Sequence, residues 1–528
     1  RINFIGDLPA VKQAAKNLKT IVVGFHRSNA SPWKASDFPS NERMLLAELT
    51  KSHQVVLVPF VKPYALSKLN NLEDFQAILV AYQNNTEAQL QAANVLLGKQ
   101  AVRGKLPVSI HPAFPAGTGI QRALPSVVLE EATPLSVGIN PKKLDALDEL
   151  ANITLDSLMA PGFQLLAARH GKIFYHKAFG HHRYDKKQAV QLTDVYDVAS
   201  LTKILATLPL LMQEVDQGEM HFDSTLGELS SRFVGTNKAN LSFKEVLSHQ
   251  SGIIPWIPFY KTTLRERDGK RLRKYYRNKP SKRFSLSVAH ALYGRTGLDD
   301  EQYTTLIESE LLEKGYHYSD LPLIFFQHIL EEKYNQGIDA LAESRIFTPL
   351  GLQRTFYNAA QQLPLDEIVP SENDDYFRQQ ELQGYVHDMT TALQGGVSGH
   401  AGLFSNAKEV ATIMQLYLQK GTYGETSYFS SATFDAFNQC YYCENKNRRG
   451  IGLDKPQLWG GGMAFEGISP ESFGHSGFTG TYTWADPTTG ILFVFLSNRT
   501  YPTMENRLLI DHSIRPRMLK LVHEAIMY

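Results

Sequence analysis

The sequence predicts two domains of different class: an N-terminal α/β sandwich over residues 1–122 and, beyond a linker at 123–140, an α+β domain over 141–528. In the second domain an antiparallel sheet is flanked by helices and joined to a helical subdomain. Three observations carry this expectation. The first quarter of the chain alternates apolar strand-like runs with amphipathic helical windows, the pattern of βαβ units in a parallel sheet. From Gln121 to Pro141 periodicity is lost and Pro125, Pro134, Gly138 and Pro141 punctuate the chain, as in a connection between domains. Further on, strand patterns gather at the two ends of a long helical stretch, so one sheet has to be closed by segments far apart in sequence.

Taken in order, Ile21 to Phe25 reads as a strand, Asn41 to Ser52 as a helix, Val55 to Phe60 and Ala77 to Tyr82 as strands, and Thr86 to Leu97 as a helix. Turn-rich segments, Gly104 to Val108 and Phe114 to Gly119, close this unit. In the second domain Pro141 to Asp156 reads as an amphipathic helix. Gln164 to Ala168 and Lys172 to Tyr175 read as a strand pair turning at His170-Gly171. Helical windows dominate from Ser200 to Arg345. Strands return at Tyr482 to Ala485 and Ile491 to Ser497, and Arg515 to Ile526 reads as a last amphipathic helix.

The chain has 528 residues, 43% of them hydrophobic and 20% charged, with 54 Lys and Arg against 53 Asp and Glu. That balance excludes wholesale disorder and a supercharged nucleic-acid binder. Two cysteines cannot build a disulfide framework in so long a chain, so packed cores must stabilise it. No apolar run approaches the ~20 residues that span a bilayer, so no membrane span is expected. Arg1 in place of an initiating Met, with no charged-then-apolar leader after it, is expected of a processed or truncated piece of a longer protein.

The chemistry concentrates in Asp197-Val198-Ala199-Ser200-Leu201-Thr202-Lys203, which runs into the apolar helical stretch Ile204 to Met212. Ser200 and Lys203 lie three apart at a helix start, on one face and about one turn apart. Burial lowers a lysine's pKa because it disfavours the charged form. A lysine so lowered can help deprotonate a serine, whose hydroxyl is a poor nucleophile unaided. Alone, the pair reads as a helix N-cap serine beside a surface lysine. Three further segments alter that reading: Leu247 to Gly252; Tyr316-His317-Tyr318-Ser319-Asp320 before an apolar helix; and Phe473 to Gly480, with His475, before a strand pair.

In this order and spacing, from about Leu135 to the C-terminus, the chain resembles the serine β-lactamase and penicillin-recognising family, particularly its class C-like esterases and DD-peptidases. That family carries Ser-x-x-Lys, then Tyr-x-Asn, then Lys-Thr-Gly or His-x-Gly. The resemblance implies a beta-lactamase-like fold with Ser200 as nucleophile, Lys203 as its proton-accepting partner and Tyr318 as the phenol that passes a proton to the leaving group. It implies His475 on the edge strand, where the family more often has Lys, and an oxyanion hole from the N–H groups of Ser200 and Phe478. Asp320, Ser476, Gly477 and His400 are the expected substrate-binding residues. Asp320 stands where the family has Asn, and a carboxylate there would favour charged Lys203 and weaken it as a base. Tyr316 rivals Tyr318, but Tyr-Ser-Asp fits the pattern and Tyr-His-Tyr does not. No cofactor or metal is expected.

The N-terminal quarter resembles the C-terminal α/β sandwich domain of family 3 glycoside hydrolases, through Gly104-Lys105-Leu106-Pro107-Val108 followed by Phe114-Pro115-Ala116-Gly117-Thr118-Gly119. That family's nucleophile sits on a preceding TIM barrel of ~250 residues, for which this chain has no room. A missing N-terminal glycosidase barrel is therefore an expected partner.

Other segments keep alternatives open. Gly384 to Asp388 and Gly395 to Ser405 look like a segment from a branch assigned to muropeptide amide hydrolysis, with glycines that let the backbone approach a ligand. His387 and His400 lack zincin spacing and are expected to shape the pocket floor by hydrogen bonding rather than to hold a metal. The basic run Arg265 to Arg283 reads as a solvated loop, as a lid for substrate carboxylates or as a site for other polyanions. Cys440-Tyr441-Tyr442-Cys443 is a single CxxC, read as a buried or adventitiously paired thiol couple.

Together the two resemblances imply a peptidoglycan-derived small molecule or peptide as substrate, with no nucleic-acid partner. The expected reaction is an acyl-enzyme hydrolysis of peptidoglycan or muropeptide amides, of D-Ala-D-Ala carboxypeptidase or N-acetylmuramyl-L-alanine amidase type. A carboxylesterase or β-lactamase using the same residues, a C-terminal fragment of a β-N-acetylglucosaminidase, and an inactive cell-wall binding module are the alternatives. The expected location is periplasmic or extracellular, with the cytoplasm as the alternative.

Overall fold

Val55 and Leu57 turn to one side of a strand while Val56, Val58 and Phe60 turn to the other, and both sides are covered. This is the period-2 alternation of a sheet buried on two faces. In the computed structural model the strand is β2 (Gln54–Phe60), flanked in chain order by α1 (Leu8–Ala15), β1 (Thr20–His26), α2 (Ser40–Ser52), β3 (Ala77–Ile78) and α3 (Thr86–Leu96). β1, β2 and β3 form a parallel sheet in that order, with Thr20 opposite Gln54. Leu46 and Leu49 of α2 cover one face and Ala88 and Ala92 of α3 the other. The third strand is shorter than the expected Ala77 to Tyr82, although Leu79 and Ala81 still donate to the carbonyls of Leu57 and Pro59. α3 starts at Asn85, whose side chain accepts from Ala88 N at 2.8 Å, the bond that makes Asn a strong N-cap.

The structure describes residues 8–28, 37–97, 102, 104–120, 127–457 and 462–527. The chain divides into two units, Arg1–Pro125 and Ser126–Tyr528. Residues 121–126, where the linker was expected to begin, lie outside the described residues. Within the rest of the expected linker, β4 (Glu130–Glu131) pairs in parallel with the strand at Lys172.

The second unit is built on a six-stranded sheet. The elements that frame the sheet and the Ser200 turn include α4 (Asp145–Asp156), β5 (Gly162–Arg169), β6 (Lys172–Gly180), β7 (Tyr196–Asp197), α5 (Leu208–Asp216), α6 (Leu321–Tyr334), β8 (Leu403–Ser405), α7 (Ala407–Leu418), β9 (Phe473–Ser476), β10 (Tyr482–Asp486), β11 (Ile491–Ser497) and α8 (Ile514–Glu524). The sheet order is β9-β10-β11-β5-β6-β4. The seam between the two ends of the domain is β5 against β11, antiparallel, with Phe163 opposite Ser497 and Arg169 opposite Ile491. Along β11 the side chains alternate: Ile491, Phe493 and Phe495 pack with Leu147, Leu150, Met518 and Val522 of α4 and α8. Leu492, Val494 and Leu496 pack with Val410, Ile413 and Met414 of α7 and with the helical subdomain. Two apolar faces on one strand require two helical layers.

The helical expectation for Ser200 to Arg345 is corrected in two places. Tyr276–Arg277, Leu286–Ala289 and Leu292–Gly294 form a small antiparallel sheet inside it. Leu286 and Val288 alternate with polar neighbours there, which favours a pleated surface over a helix face. The stretch after Ser200 is not one regular helix: a 3₁₀ turn at Ala199–Leu201 leads to a π turn at Lys203–Thr207 before α5. Among the described residues no helix is long and apolar enough to cross a membrane.

Trp484 on β10 is fully buried and stacks on Tyr482 at 5.8 Å between ring centres. Removing it opens a cavity that the flanking strands cannot close. Trp484→Ala is expected to destabilise the second unit by about 3–5 kcal/mol, measured as a lowered urea midpoint with an unchanged slope.

Candidate active site

The turn that presents Ser200 is held from below by Asp197 at the end of β7. Its carboxylate accepts Ala199 N at 2.8 Å and His387 N at 2.6 Å. Ala199 takes a positive φ of 48°, a conformation that a non-glycine residue holds only when its surroundings over-determine it. The surroundings include the β9–β10 turn: Thr479 Oγ1 donates to Asp197 O at 2.8 Å and Thr481 Oγ1 to Val198 O at 2.9 Å. Gly477 in that turn is required, since a Cβ would stand 2.1 Å from Thr481 Oγ1 and 2.6 Å from Val198 O.

Three segments converge on Ser200. Lys203 Nζ, fully buried, donates to Ser200 Oγ at 2.8 Å, to Asp320 Oδ1 at 2.7 Å and to the His400 carbonyl at 3.2 Å. Tyr318 OH donates to Ser200 Oγ at 3.3 Å. Burial works to lower the Lys203 pKa, but the Asp320 carboxylate and the Tyr318 oxygen outweigh it, so the ammonium is held above its ordinary range. The expectation of a lysine lowered by desolvation is thereby corrected: the pocket desolvates Lys203 and also gives it a counter-ion. Burial likewise raises the Tyr318 phenol, against the opposing pull of Lys203. Asp320, expected to bind substrate, lines the cavity and is the ion-pair partner of Lys203.

Tyr316 lines the same cavity, but only Tyr318 reaches Ser200. Tyr318 is packed by residues that short motifs do not mark. Arg449 lies over its ring at 4.8 Å and is itself paired with Asp454 at 3.0 Å. The His249 ring sits 4.8 Å from that of Tyr318, and its Nδ1 accepts Ser319 N at 3.2 Å. His475 is buried, and its Nδ1 donates to the Ser476 carbonyl at 2.8 Å, which leaves Nε2 without a partner among the described residues. Burial lowers His475 to about 3 and pushes His249 well below its ordinary range. Both imidazoles are neutral at neutral pH.

His400 enters through its main chain. Its imidazole is buried between Asp388 at 3.0 Å and Ser398 at 2.9 Å, while its carbonyl meets Lys203. Burial opposes the Asp388 charge, but His400 and the Thr391 N–H hold that carboxylate below its usual range. The nearby glycines allow close approaches within the protein. A Cβ on Gly399 would stand 2.3 Å from the Leu323 carbonyl, so the loop wedges against α6. His387 lies 3.1 Å from Glu372. Among the described residues no three His, Cys, Asp or Glu cluster as metal ligands.

Ser200, Tyr318, His475, Ser476, Gly477 and Phe478 line one cavity of about 800 Å³. Phe478 is half exposed, and its N–H carries no partner among the described residues. None of residues 265–283 lines the cavity. Instead Tyr276 is buried against Phe377, and Arg271 donates to the Arg378 carbonyl. Cys440 and Cys443 form a disulfide. Cys440 Sγ also meets the carbonyl of Asn447, whose side chain bonds to Ser248 O at 2.8 Å and Gln250 Oε1 at 2.9 Å, just ahead of Arg448 and Arg449.

The beta-lactamase family model matches residues 152–513. The protein belongs to the beta-lactamase family. This beta-lactamase-like chain is a serine hydrolase, and residues 6–135, which include most of the first unit, match the C-terminal domain of glycosyl hydrolase family 3. A relative in Escherichia coli named as a D-alanyl-D-alanine carboxypeptidase is 30% identical over 405 residues, covering 71% of this chain and 86% of that protein. An N-acetylmuramyl-L-alanine amidase from Bacillus subtilis is 27% identical over 407 residues, covering 71% and 85%. Among solved structures, EstCE1, a hydrolase with promiscuous acyltransferase activity, superposes with a TM-score of 0.52 at 16% identity, covering 73% of this chain and 99% of that one. A penicillin-binding protein homologue from Caulobacter crescentus gives 0.50 at 16%, covering 74% and 99%. These last two show the fold.

The buried histidines make stability depend on pH. In the unfolded chain His475 protonates near the ordinary value of about 6.5, whereas in the folded chain it resists until about pH 3. The unfolded state binds more protons across that window, so stability falls as pH is lowered from about 6.5 towards 3. Urea midpoints measured through this range are expected to show the fall, and His475→Asn, which keeps a donor for the Ser476 carbonyl, to flatten it.

Proposed function

We propose that the second unit hydrolyses an amide bond of peptidoglycan-derived peptides through an acyl-enzyme on Ser200. The observation that carries this is the contact set at one oxygen: Ser200 Oγ lies 2.8 Å from Lys203 Nζ and 3.3 Å from Tyr318 OH. A nucleophile, a proton acceptor and a proton donor within reach of one another are what acyl transfer needs. Ser200 Oγ bonds to the carbonyl carbon as its proton passes to neutral Lys203. The C–N bond then breaks as Tyr318 gives its phenol proton to the departing amine, and Lys203 restores that proton to Tyr318. Water hydrolyses the ester and regenerates Ser200.

The N–H groups of Ser200 and Phe478 would bind the developing oxyanion, where losing one donor typically costs about 3 kcal/mol of barrier. His475 Nε2, Ser476 and Gly477 would line the acyl group's path. His400 holds Lys203 through its carbonyl. Asp320 decides when the cycle can start: it favours the ammonium, so the proton-accepting form is reached as pH rises.

The substrate class rests on the relatives named as a D-alanyl-D-alanine carboxypeptidase and an N-acetylmuramyl-L-alanine amidase. The candidate bonds are accordingly D-Ala-D-Ala and the amide between the muramic acid lactyl group and L-Ala. The glycosidase-type first unit supports a substrate that carries amino sugars. The Cys440–Cys443 disulfide supports an oxidising compartment, periplasmic or extracellular.

Ser200→Ala is expected to abolish labelling by a fluorophosphonate and to lower muropeptide hydrolysis by about 10³-fold or more, read by mass spectrometry of defined muropeptides. Equal labelling of wild type and variant, or turnover of simple acyl esters with none of muropeptides, would sink the reading. Asp320→Asn removes the counter-ion of Lys203 and is expected to move the rising limb of kcat/KM against pH to lower pH. A limb that stays in place would count against Lys203 as the proton acceptor.

A further inference from the structure

The near-even charge balance of the chain, 54 Lys and Arg against 53 Asp and Glu, hides a local imbalance. No Asp or Glu occurs between Asp268 and Asp299, while Lys270, Arg273, Lys274, Arg277, Lys279 and Lys282 all fall there and all are exposed. None of these cations makes an ion pair among the described residues. The acids at the margins are taken by other arginines, Asp268 by Arg265 at 3.0 Å and Glu301 by Arg295 at 2.6 Å. The side chains of Lys270, Arg273, Lys279 and Lys282 make no hydrogen bond among the described residues either. Lys274 and Arg277 instead lie over the rings of Tyr275 at 4.7 Å and Phe284 at 4.4 Å.

The segment that carries them is folded. Leu264 is bridged to Arg271 and Ser281 to Phe284, and Tyr293 pairs with both Arg277 and Ser287. Thr296 N donates to Arg283 O at 2.9 Å and Thr296 Oγ1 to Lys282 O at 3.0 Å. Tyr276, Val288 and Leu292 anchor the segment on Phe377 and Leu382, and no large apolar side chain between Arg265 and Arg295 is exposed. Like charges held together without counter-ions repel, and that cost is offset where an opposite charge is brought to them. None of these residues lines the Ser200 cavity, so a carboxylate bound there does not meet them. Tyr276 and Phe284 are buried, and Tyr275 has Lys274 and Arg295 over its ring at 4.7 and 5.7 Å, so bases find no open aromatic face to stack on. An array of lipid headgroups suits the surface better. Its charges move in the plane and gather at free side chains, which keep the rotamer freedom that one rigid ligand would take from them.

We propose that this basic surface docks the protein on an anionic lipid bilayer, with Lys270, Arg273, Lys274, Arg277, Lys279 and Lys282 meeting phosphate headgroups. The attachment is peripheral: it is electrostatic, it inserts no apolar side chain, and it is lost when salt screens the cations. The inference does not depend on the amide-hydrolase reading, because the surface shares no residue with the Ser200 cavity.

The test is co-sedimentation of the full chain with phosphatidylcholine vesicles, with and without about 30% phosphatidylglycerol. At low salt the anionic vesicles are expected to bind about tenfold or more tighter than the neutral ones, and about 0.5 M NaCl to release the protein. Lys270→Gln, Arg273→Gln, Lys279→Gln and Lys282→Gln combined remove cations that no contact within the fold uses. This variant is expected to lose about tenfold or more in affinity for anionic vesicles while keeping the wild-type urea midpoint. Arg273→Lys, which keeps the charge, is expected to bind as wild type. Equal binding to both kinds of vesicle, binding to neither, attachment that survives the salt, or a folded combined variant that binds as wild type overturns the proposal. So does a soluble polyanion, tested as heparin and as a single-stranded oligonucleotide, that at equal charge holds the protein more tightly than the vesicles do. The lipid and salt arms on wild type decide the case without any variant. Failure of the hydrolase reading is seen separately, as wild type that resists the fluorophosphonate while still sedimenting with anionic vesicles.

Discussion

Lys203 is the point on which the second unit closes. Its ammonium is buried, and its three bonds go to Ser200 on its own turn, to Asp320 ahead of α6 and to the His400 carbonyl in a glycine-rich loop. A buried cation missing one partner of such a set is destabilising by about 3–5 kcal/mol. The three segments are therefore bound to one another's positions. The π turn after Ser200 gives the loop its seat, since Thr207 Oγ1 donates to Gly399 O at 2.7 Å and Gln327 of α6 accepts Gly399 N at 2.9 Å.

The sheet supplies the second constraint. Because β5 and β11 pair along their whole lengths, the turn at 477–481 is delivered from the far end of the chain to the floor of the Ser200 turn. Thr479 and Thr481 then tie the two turns together by hydroxyl to carbonyl bonds. The strain at Ala199 is thus held by bonds from a segment more than 270 residues away, since Thr479 and Asp197 are 282 apart.

Charge is distributed unevenly around the cavity. Asp320, Asp388 and Asp454 each have a cationic or imidazole partner, whereas Arg499 and Arg515 make no close ion pair among the described residues. Arg449 belongs to the satisfied group, and it reaches Tyr318 because Asn447 anchors its segment to Ser248 and Gln250. The Cys440–Cys443 disulfide stands immediately before that anchor.

How much of this was legible in the sequence depends on the range of the interaction. Strands at Ile491 to Ser497 and Gln164 to Ala168 could be read because period-2 alternation is local, and the Ser200–Lys203 pair because a helix start places residues three apart on one face. The ordered motifs around Tyr318 and His475 named the cavity before any geometry did. The strands within 276–294 were missed because each is two to four residues long, too short for periodicity to show. The sequence by itself determined the two-domain plan, the sheet closed from both ends and the cluster of Ser200, Lys203, Tyr318 and His475. Only the tertiary structure decided the distances at which Lys203 meets Asp320 and the His400 carbonyl, and the packing of Arg449 and His249 on Tyr318. Those depend on burial and on distances between residues far apart in the chain, and no local pattern of residues carries either.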